Sequence, residues 1–439
     1  MAIGAILEPG IVVGLLAGGT LVNRNTTYTS STASSRRASW HPLDQTDPEA
    51  LPSASLLNDE QNFEGGRKAK VEEDEYNSDS RRPWSPSRSS SSSTVVENQA
   101  IEKDLPYGKR FRTLKFMGWE REVVTPNTEI HRDRLLSRVL RKFPFLVEVW
   151  YWALIYWVYQ LGRAFTAVTL KASTVDTARE HALQIIHMEK RLRIFVEPIV
   201  QGWFLGHPTI LKWTNRTYSF IHIPGTILFL IVLFYVTTTR PRARIHENHG
   251  GGALVRDWRN FVNHFGPDVY ERRRRTMAMC NLLAFIVFTF WPCMPPRLLS
   301  DPTYNGEDAK EAKSYGFVDT VHGKDGDSSV WTTNKFCNQY AAMPSLHFGY
   351  SFLIGLTIAT VPLRRQGRFG WKRLVAIFTG MVYPAIILTA IVATANHFVL
   401  DAVAGACACL IAWKFNHVLL NLLPIEDWFL HVLRMHKPN

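Results

Sequence analysis

Six apolar runs dominate the later part of this chain: 145–169, 219–239, 276–293, 345–363, 373–395 and 397–415. Each holds about 17 to 25 residues, enough for a helix to cross a hydrocarbon layer of ~30 Å. The expected fold class is all-α: a polytopic membrane protein with a six-helix transmembrane core. The first run is the least clean, with Glu148 near its start and Arg163 inside it. A shorter apolar stretch, Gly10–Val22, has Glu8 upstream, no basic lead and no clear small-x-small cleavage site. It reads as an extra, uncleaved N-terminal hydrophobic helix, and its length leaves open whether it spans.

A polar arm separates this helix from the runs. The stretch "SPSRSSSSSTVV" at 85–96 and the acidic run Glu72–Glu75 cannot bury enough apolar surface to offset chain entropy. The organisation expected is therefore residues 1–26 as a hydrophobic helix, 27–142 as a disordered, cytosolic, Ser/Arg-rich arm, 143–416 as the catalytic membrane domain, and 417–439 as a cytosolic tail. "RRAS" at 36–39 offers Ser39 to a basophilic kinase, although a solvated linker needs no such role. Between the first two runs, "ALQIIHMEKRLRIFVEPIVQGWF" interrupts an apolar pattern with Glu189, Lys190, Arg191 and Arg193. It is expected to lie along the bilayer interface or dip into it.

The formal net charge is +12. No zinc-finger spacing or aromatic RNA-binding motif accompanies it, so nucleic acid is not an expected partner. The basic residues cluster beside the apolar runs instead. Loop 240–275 carries Arg240, Arg242, Arg244, Arg256, Arg259 and Arg272 to Arg275, and loop 364–373 carries Arg364, Arg365, Arg368, Lys372 and Arg373. With six spans both loops fall on one side, the cytosolic one. The opposite side, lumenal or exterior, receives 294–344 and the turn near 395–397. Among the five cysteines, Cys293 and Cys337 flank one loop and could pair in an oxidising lumen.

The polar residues with chemical potential gather on that opposite side, at the ends of runs. Arg297 lies in "WPCMPPRLL" (291–299), Ser345 and His347 in "PSLH" (344–347), and His397 and Asp401 in "TANHFVLDAVAGA" (394–406). Such residues are costly beside lipid and mark function by default. His397 and Asp401 are spaced i, i+4, so on a helix they share a face and the carboxylate can orient the imidazole. The ring's other nitrogen is then available as nucleophile or base. His347 can protonate a leaving group. Arg297 offers a fork suited to phosphate oxygens, and Ser345 at a helix start can hold an anion. Each residue alone has a blander role, as a satisfied helix-end histidine or a snorkelling arginine; their joint placement is what points to a site.

These motifs resemble the type 2 phosphatidic acid phosphatase superfamily. "PPRLL", "GFVDTV" (316–321), "NQYAAMPSLHFGYSF" and "ANHFVLDAVAGA" are closest to its inositolphosphotransferase branch, which includes inositol phosphorylceramide synthases. "NRTYSFIH" (215–222), preceded by Glu189 and Glu197, fits as well. The resemblance covers about 145–415. It implies that His397 attacks phosphorus to form a phosphohistidine, that Asp401 assists it, and that His347 is the acid for the leaving group, with no metal or other cofactor. The chain departs from the wider superfamily at Phe290 and Leu298, and at Ala390 and Ile391, where phosphate-binding cations are usual. His222 and Lys335 are candidates for the missing positive character.

The expected activity is a membrane phosphotransferase moving a phosphoalcohol headgroup from a phospholipid donor to an acceptor such as ceramide. Its expected place is an endomembrane, Golgi or endoplasmic reticulum, with the site facing the lumen. Rival readings are a lipid phosphate phosphatase, a zinc site built from two histidines and an aspartate, and a non-catalytic scaffold or transporter keeping a relict fold.

Overall fold

The computed structural model describes residues 2–26, 28, 109–116, 118–168, 172–218, 222–240, 266–320, 339–361 and 370–438. Ser39, Lys335, Cys337 and arm residues 29–108 lie outside these, and with them the kinase site, the Lys335 contact and the Cys293–Cys337 pairing. The described chain is mostly helical: α1 (Ala2–Val22), α2 (Leu135–Lys142), α3 (Phe145–Val168), α4 (Ala172–Leu192), α5 (Glu197–Leu205), α6 (Pro208–Arg216), α7 (His222–Phe234), α8 (Pro267–Phe290), α9 (Ala309–Ser314), α10 (Leu346–Ala359), α11 (Trp371–Ala393), α12 (Val399–Phe415) and α13 (Leu423–Val432). Among the described residues, three stretches are long and apolar enough to cross a membrane: His222–Thr239, Trp371–Ala393 and Val399–Val432. The chain is an integral membrane protein.

Helix α8 begins well before the apolar run it contains, so Arg272 to Arg275 are helical rather than part of a loop. Their charges are accommodated by partners. Arg274 Nη1 donates to Glu148 on α3 at 2.8 Å, and the Arg273 guanidinium stacks 3.3 Å from the Trp413 ring centroid on α12. Glu148, the residue that made the first run look broken, is thus half of a buried ion pair. Breaking such a pair leaves an uncompensated charge, which is why neither partner interrupts its helix.

The arm is not without structure throughout, contrary to the expectation for 27–142. Strands β1 (Lys109–Phe116) and β2 (Trp119–Pro126) form an antiparallel hairpin with Lys109 opposite Pro126 and Phe116 opposite Trp119. Gly118, at φ +86, takes the left-handed conformation of its tight turn. The tail explains the ordering: Asp427 on α13 accepts from Arg112 Nε at 2.7 Å, Arg112 Nη2 at 3.0 Å and Thr125 Oγ1 at 3.0 Å. The partners lie some 300 residues apart in sequence, so no local pattern shows the pairing.

Helix α4 buries Ala178, Ala182, Ile185 and Ile186, one face at 3.6-residue periodicity. Its apolar face packs on Met294, Leu299, Phe317 and Phe398 of this same chain. The segment therefore covers protein, a role more specific than the interfacial one its composition suggested. Helices α10, α11 and α12 pack through glycines. A Cβ on Gly355 would strike the Gly380 carbonyl oxygen, and one on Gly405 would strike the Ser345 carbonyl oxygen. The second contact draws α12 against the start of α10, where the polar residues converge.

Candidate active site

Three short segments are tied together by backbone hydrogen bonds. Cys293 N–H donates to the Tyr340 carbonyl at 2.8 Å, and Ala342 N–H to the Cys293 carbonyl at 3.1 Å. Arg297 N–H donates to Ala395 O at 2.9 Å, and Ser345 N–H to Asp401 O at 2.9 Å. The "PPRLL", "PSLH" and "ANHFVLD" segments thus meet at one place. Ser345 is the N-cap of α10, its Oγ accepting from Phe348 N–H at 3.4 Å. Its side chain serves the helix start in this state.

His397 is buried just before α12. Its Nδ1 lies 2.8 Å from the Ala342 carbonyl oxygen. A carbonyl can only accept, so Nδ1 carries the proton and Nε2 presents its lone pair. The Asp401 carboxylate sits farther off, with Oδ2 3.5 Å from Nδ1, and the same oxygen accepts the Phe398 N–H at 2.9 Å. Tautomer control thus falls to Ala342, a residue that sequence reasoning missed because a backbone carbonyl leaves no mark on residue type. Asp401 supplies negative charge beside the ring and caps the helix.

His347 stands in a row of rings. Its centroid is 5.9 Å from His397, 4.9 Å from His222 and 4.5 Å from Tyr218, on which it stacks. His222 Nδ1 lies 2.9 Å from the Tyr383 hydroxyl. The structure therefore brings His222 to His347, which in turn stands beside His397. Arg297 donates from Nε to Asn396 Oδ1 at 2.9 Å and from Nη1 to Asp319 Oδ2 at 3.0 Å. Asn396 is held in turn by its own bond to Thr394 Oγ1 at 2.7 Å. The Asp319 loop is pinned by Gln201, which accepts from Val318 N–H at 3.1 Å and donates to its carbonyl at 2.8 Å. Asn396 and Asp319 were legible only as neighbours, inside "TANHFVLD" and "GFVDTV". Among the described residues, no group of three or more His, Cys, Asp or Glu is arranged to hold a metal ion.

A family model described as the PAP2 superfamily matches residues 183–246 and 261–415. This chain belongs to the PAP2 superfamily. The match spans Glu189, Glu197, His222, Arg297, Ser345, His347, His397 and Asp401. It makes the chain a membrane enzyme of the lipid phosphatase and phosphotransferase type. No curated protein and no solved structure matches it. Within this PAP2 enzyme, Ala390 and Ile391, two of the positions that depart from the wider superfamily, are buried on α11 in an apolar cluster with Ile387 and Val392.

Proposed function

We propose that this enzyme transfers a phosphoalcohol headgroup from a phospholipid to a lipid hydroxyl, through a phosphohistidine on His397. The juxtaposition of His347 and His397, with their centroids 5.9 Å apart beside Arg297's anchor Asn396, supports this most directly. His397 Nε2 attacks phosphorus, and the bond from phosphorus to the diacylglycerol oxygen breaks. That oxygen takes the proton of protonated His347. The acceptor hydroxyl then attacks phosphorus, His347 recovers the hydroxyl proton, and the phosphorus–nitrogen bond breaks to free His397. Arg297 and Ser345 hold the phosphate, with His222 behind His347. Asp401 steadies the positive ring.

Charge favours a diester donor. Arg297 is already matched by Asp319 at 3.0 Å, and Phe290, Leu298, Ala390 and Ile391 contribute no further cations. A phosphomonoester carries about −1.5 to −2 charges at neutral pH, as a phosphorylated side chain does. A diester carries one, which suits a single, partly neutralised guanidinium. An inositol phospholipid is the donor and ceramide the acceptor in this reading, and the site faces the lumen of the Golgi or endoplasmic reticulum. The test is the product ratio from phosphatidylinositol in nanodiscs, with and without ceramide, followed by mass spectrometry. Inositol phosphorylceramide formed only with ceramide, and lost in His347→Ala and His397→Ala, supports transfer. Inorganic phosphate from phosphatidic acid, unchanged by added acceptor and without headgroup transfer, would leave hydrolysis as the activity.

A further inference from the structure

The first turn of α12 is capped three times over. Asp401 Oδ2 accepts from Phe398 N–H at 2.9 Å, Glu197 Oε1 from Val399 N–H at 2.9 Å, and Glu189 Oε1 from Leu400 N–H at 2.8 Å. The acids come from three helices, α12, α5 and α4, and all are fully buried. A helix start leaves a few orphan N–H groups, commonly met by one capping side chain and solvent. Here consecutive donors each receive their own carboxylate. The second oxygens, Asp401 Oδ1, Glu189 Oε2 and Glu197 Oε2, are buried with no donor among the described residues. Three full negative charges so enclosed would face the partial positive charge of the helix end and, beside Asp401, the His397 ring, a strongly unfavourable arrangement.

We propose that Glu189 and Glu197 are positioning residues for His397: an acid–carboxylate pair sharing one proton, whose caps fix the turn that follows the nucleophile. The proposal rests on the reading of His397 as nucleophile. A proton between the pair supplies the donor that their second oxygens lack. Burial first, then the hydrogen bond to Glu197 and its charge, push the Glu189 carboxyl from 4.5 up to about 9, against the pull of the Leu400 N–H. Among the described residues, the groups facing the pair are Asp401 at the start of α12 and the Cys293 thiol after α8, with His397 beside Asp401. Holding the proton also removes one negative charge from behind the site that must admit a phosphate. Because the folded value is raised, the stabilisation linked to this proton is fully present below about 4.5 and is lost as pH rises through about 9.

The test uses the full chain in nanodiscs and two readouts. Infrared difference spectra of wild type against Glu189→Gln should show a protonated carboxylic carbonyl band at neutral pH, which fades as pH passes about 9. In turnover of phosphatidylinositol with ceramide, Glu189→Gln, isosteric with the protonated acid, should keep kcat and lose the alkaline fall of the wild type. Glu189→Ala should lower kcat about 100-fold with KM unchanged, the cost of a small misplacement of a reacting group. Absence of the carboxylic band overturns the proposal, as does an unchanged alkaline limb in Glu189→Gln, even where Glu189→Ala does not fold. If the band titrates as expected while His397→Ala keeps full turnover, the nucleophile reading fails, and the positioning role fails with it.

Discussion

Replacing Asp401 by asparagine separates the two tasks that the geometry gives this carboxylate. The amide oxygen can still accept the Phe398 N–H, so the cap survives. What disappears is a negative charge 3.5 Å from His397 Nδ1. At that distance, with an effective dielectric of about 20, a full charge pair is worth about 4 to 5 kcal/mol. The ring carries roughly half its positive charge when the phosphorus–nitrogen bond is half formed, so about 2 kcal/mol is lost at the transition state, some 30-fold in kcat. The tautomer should persist, because the Ala342 carbonyl holds it. Asp401→Ala loses the cap as well, costing about 1 kcal/mol of stability in addition. The assay is single-turnover transfer from phosphatidylinositol by purified full-length protein, alongside thermal unfolding of each variant. Asp401→Asn with wild-type turnover, or with the lowered Tm of Asp401→Ala, would refute the separation.

Other perturbations test the scaffold. Gly405→Ala places a methyl group against the Ser345 carbonyl oxygen, backbone that cannot yield cheaply, so α12 must move off α10; overpacking of this kind costs about 1–3 kcal/mol, read as a lower Tm and reduced turnover together. Asp427→Ala removes the carboxylate that Arg112 and Thr125 share, and breaking that ion pair should cost up to about 3 kcal/mol locally, read as faster proteolysis within 109–126 with turnover retained. Arg297→Ala should raise KM for the donor and remove the ion pair to Asp319, and Arg297→Asp with Asp319→Arg should not restore KM, because Asn396 accepts specifically from Arg297 Nε. Cysteines introduced at Gly250 and Gly306 should label with an impermeant maleimide from the cytosolic and lumenal sides respectively; the reverse pattern inverts the topology.

The membrane character was legible because spans impose length and composition directly: His222–Thr239 and Trp371–Ala393 coincide closely with two of the apolar runs. The meeting of Arg297, Ser345, His347, His397 and His222 was legible only as residue types placed at run ends. Distances and roles were not. Two kinds of information were invisible. Long-range polar partners, such as Asp427 for the β-hairpin and Arg274 for Glu148, made ordered segments look disordered or broken. Backbone acceptors, above all the Ala342 carbonyl, belong to no residue type and so give no motif. Glu189 and Glu197 stood out only as charges interrupting an apolar pattern, whereas in the fold they cap the α12 turn that His397 precedes.

The central claim is headgroup transfer through His397, and the intermediate itself tests it. The full chain is mixed with phosphatidylinositol, quenched in base within the first turnover, digested, and the peptide containing Ala395 to Asp401 is weighed by mass spectrometry. The expected result is an acid-labile adduct on His397 with the mass of inositol phosphate, accumulating without acceptor and discharged by ceramide. An unmodified His397 during productive turnover, or an adduct bearing phosphate without the headgroup, would contradict it.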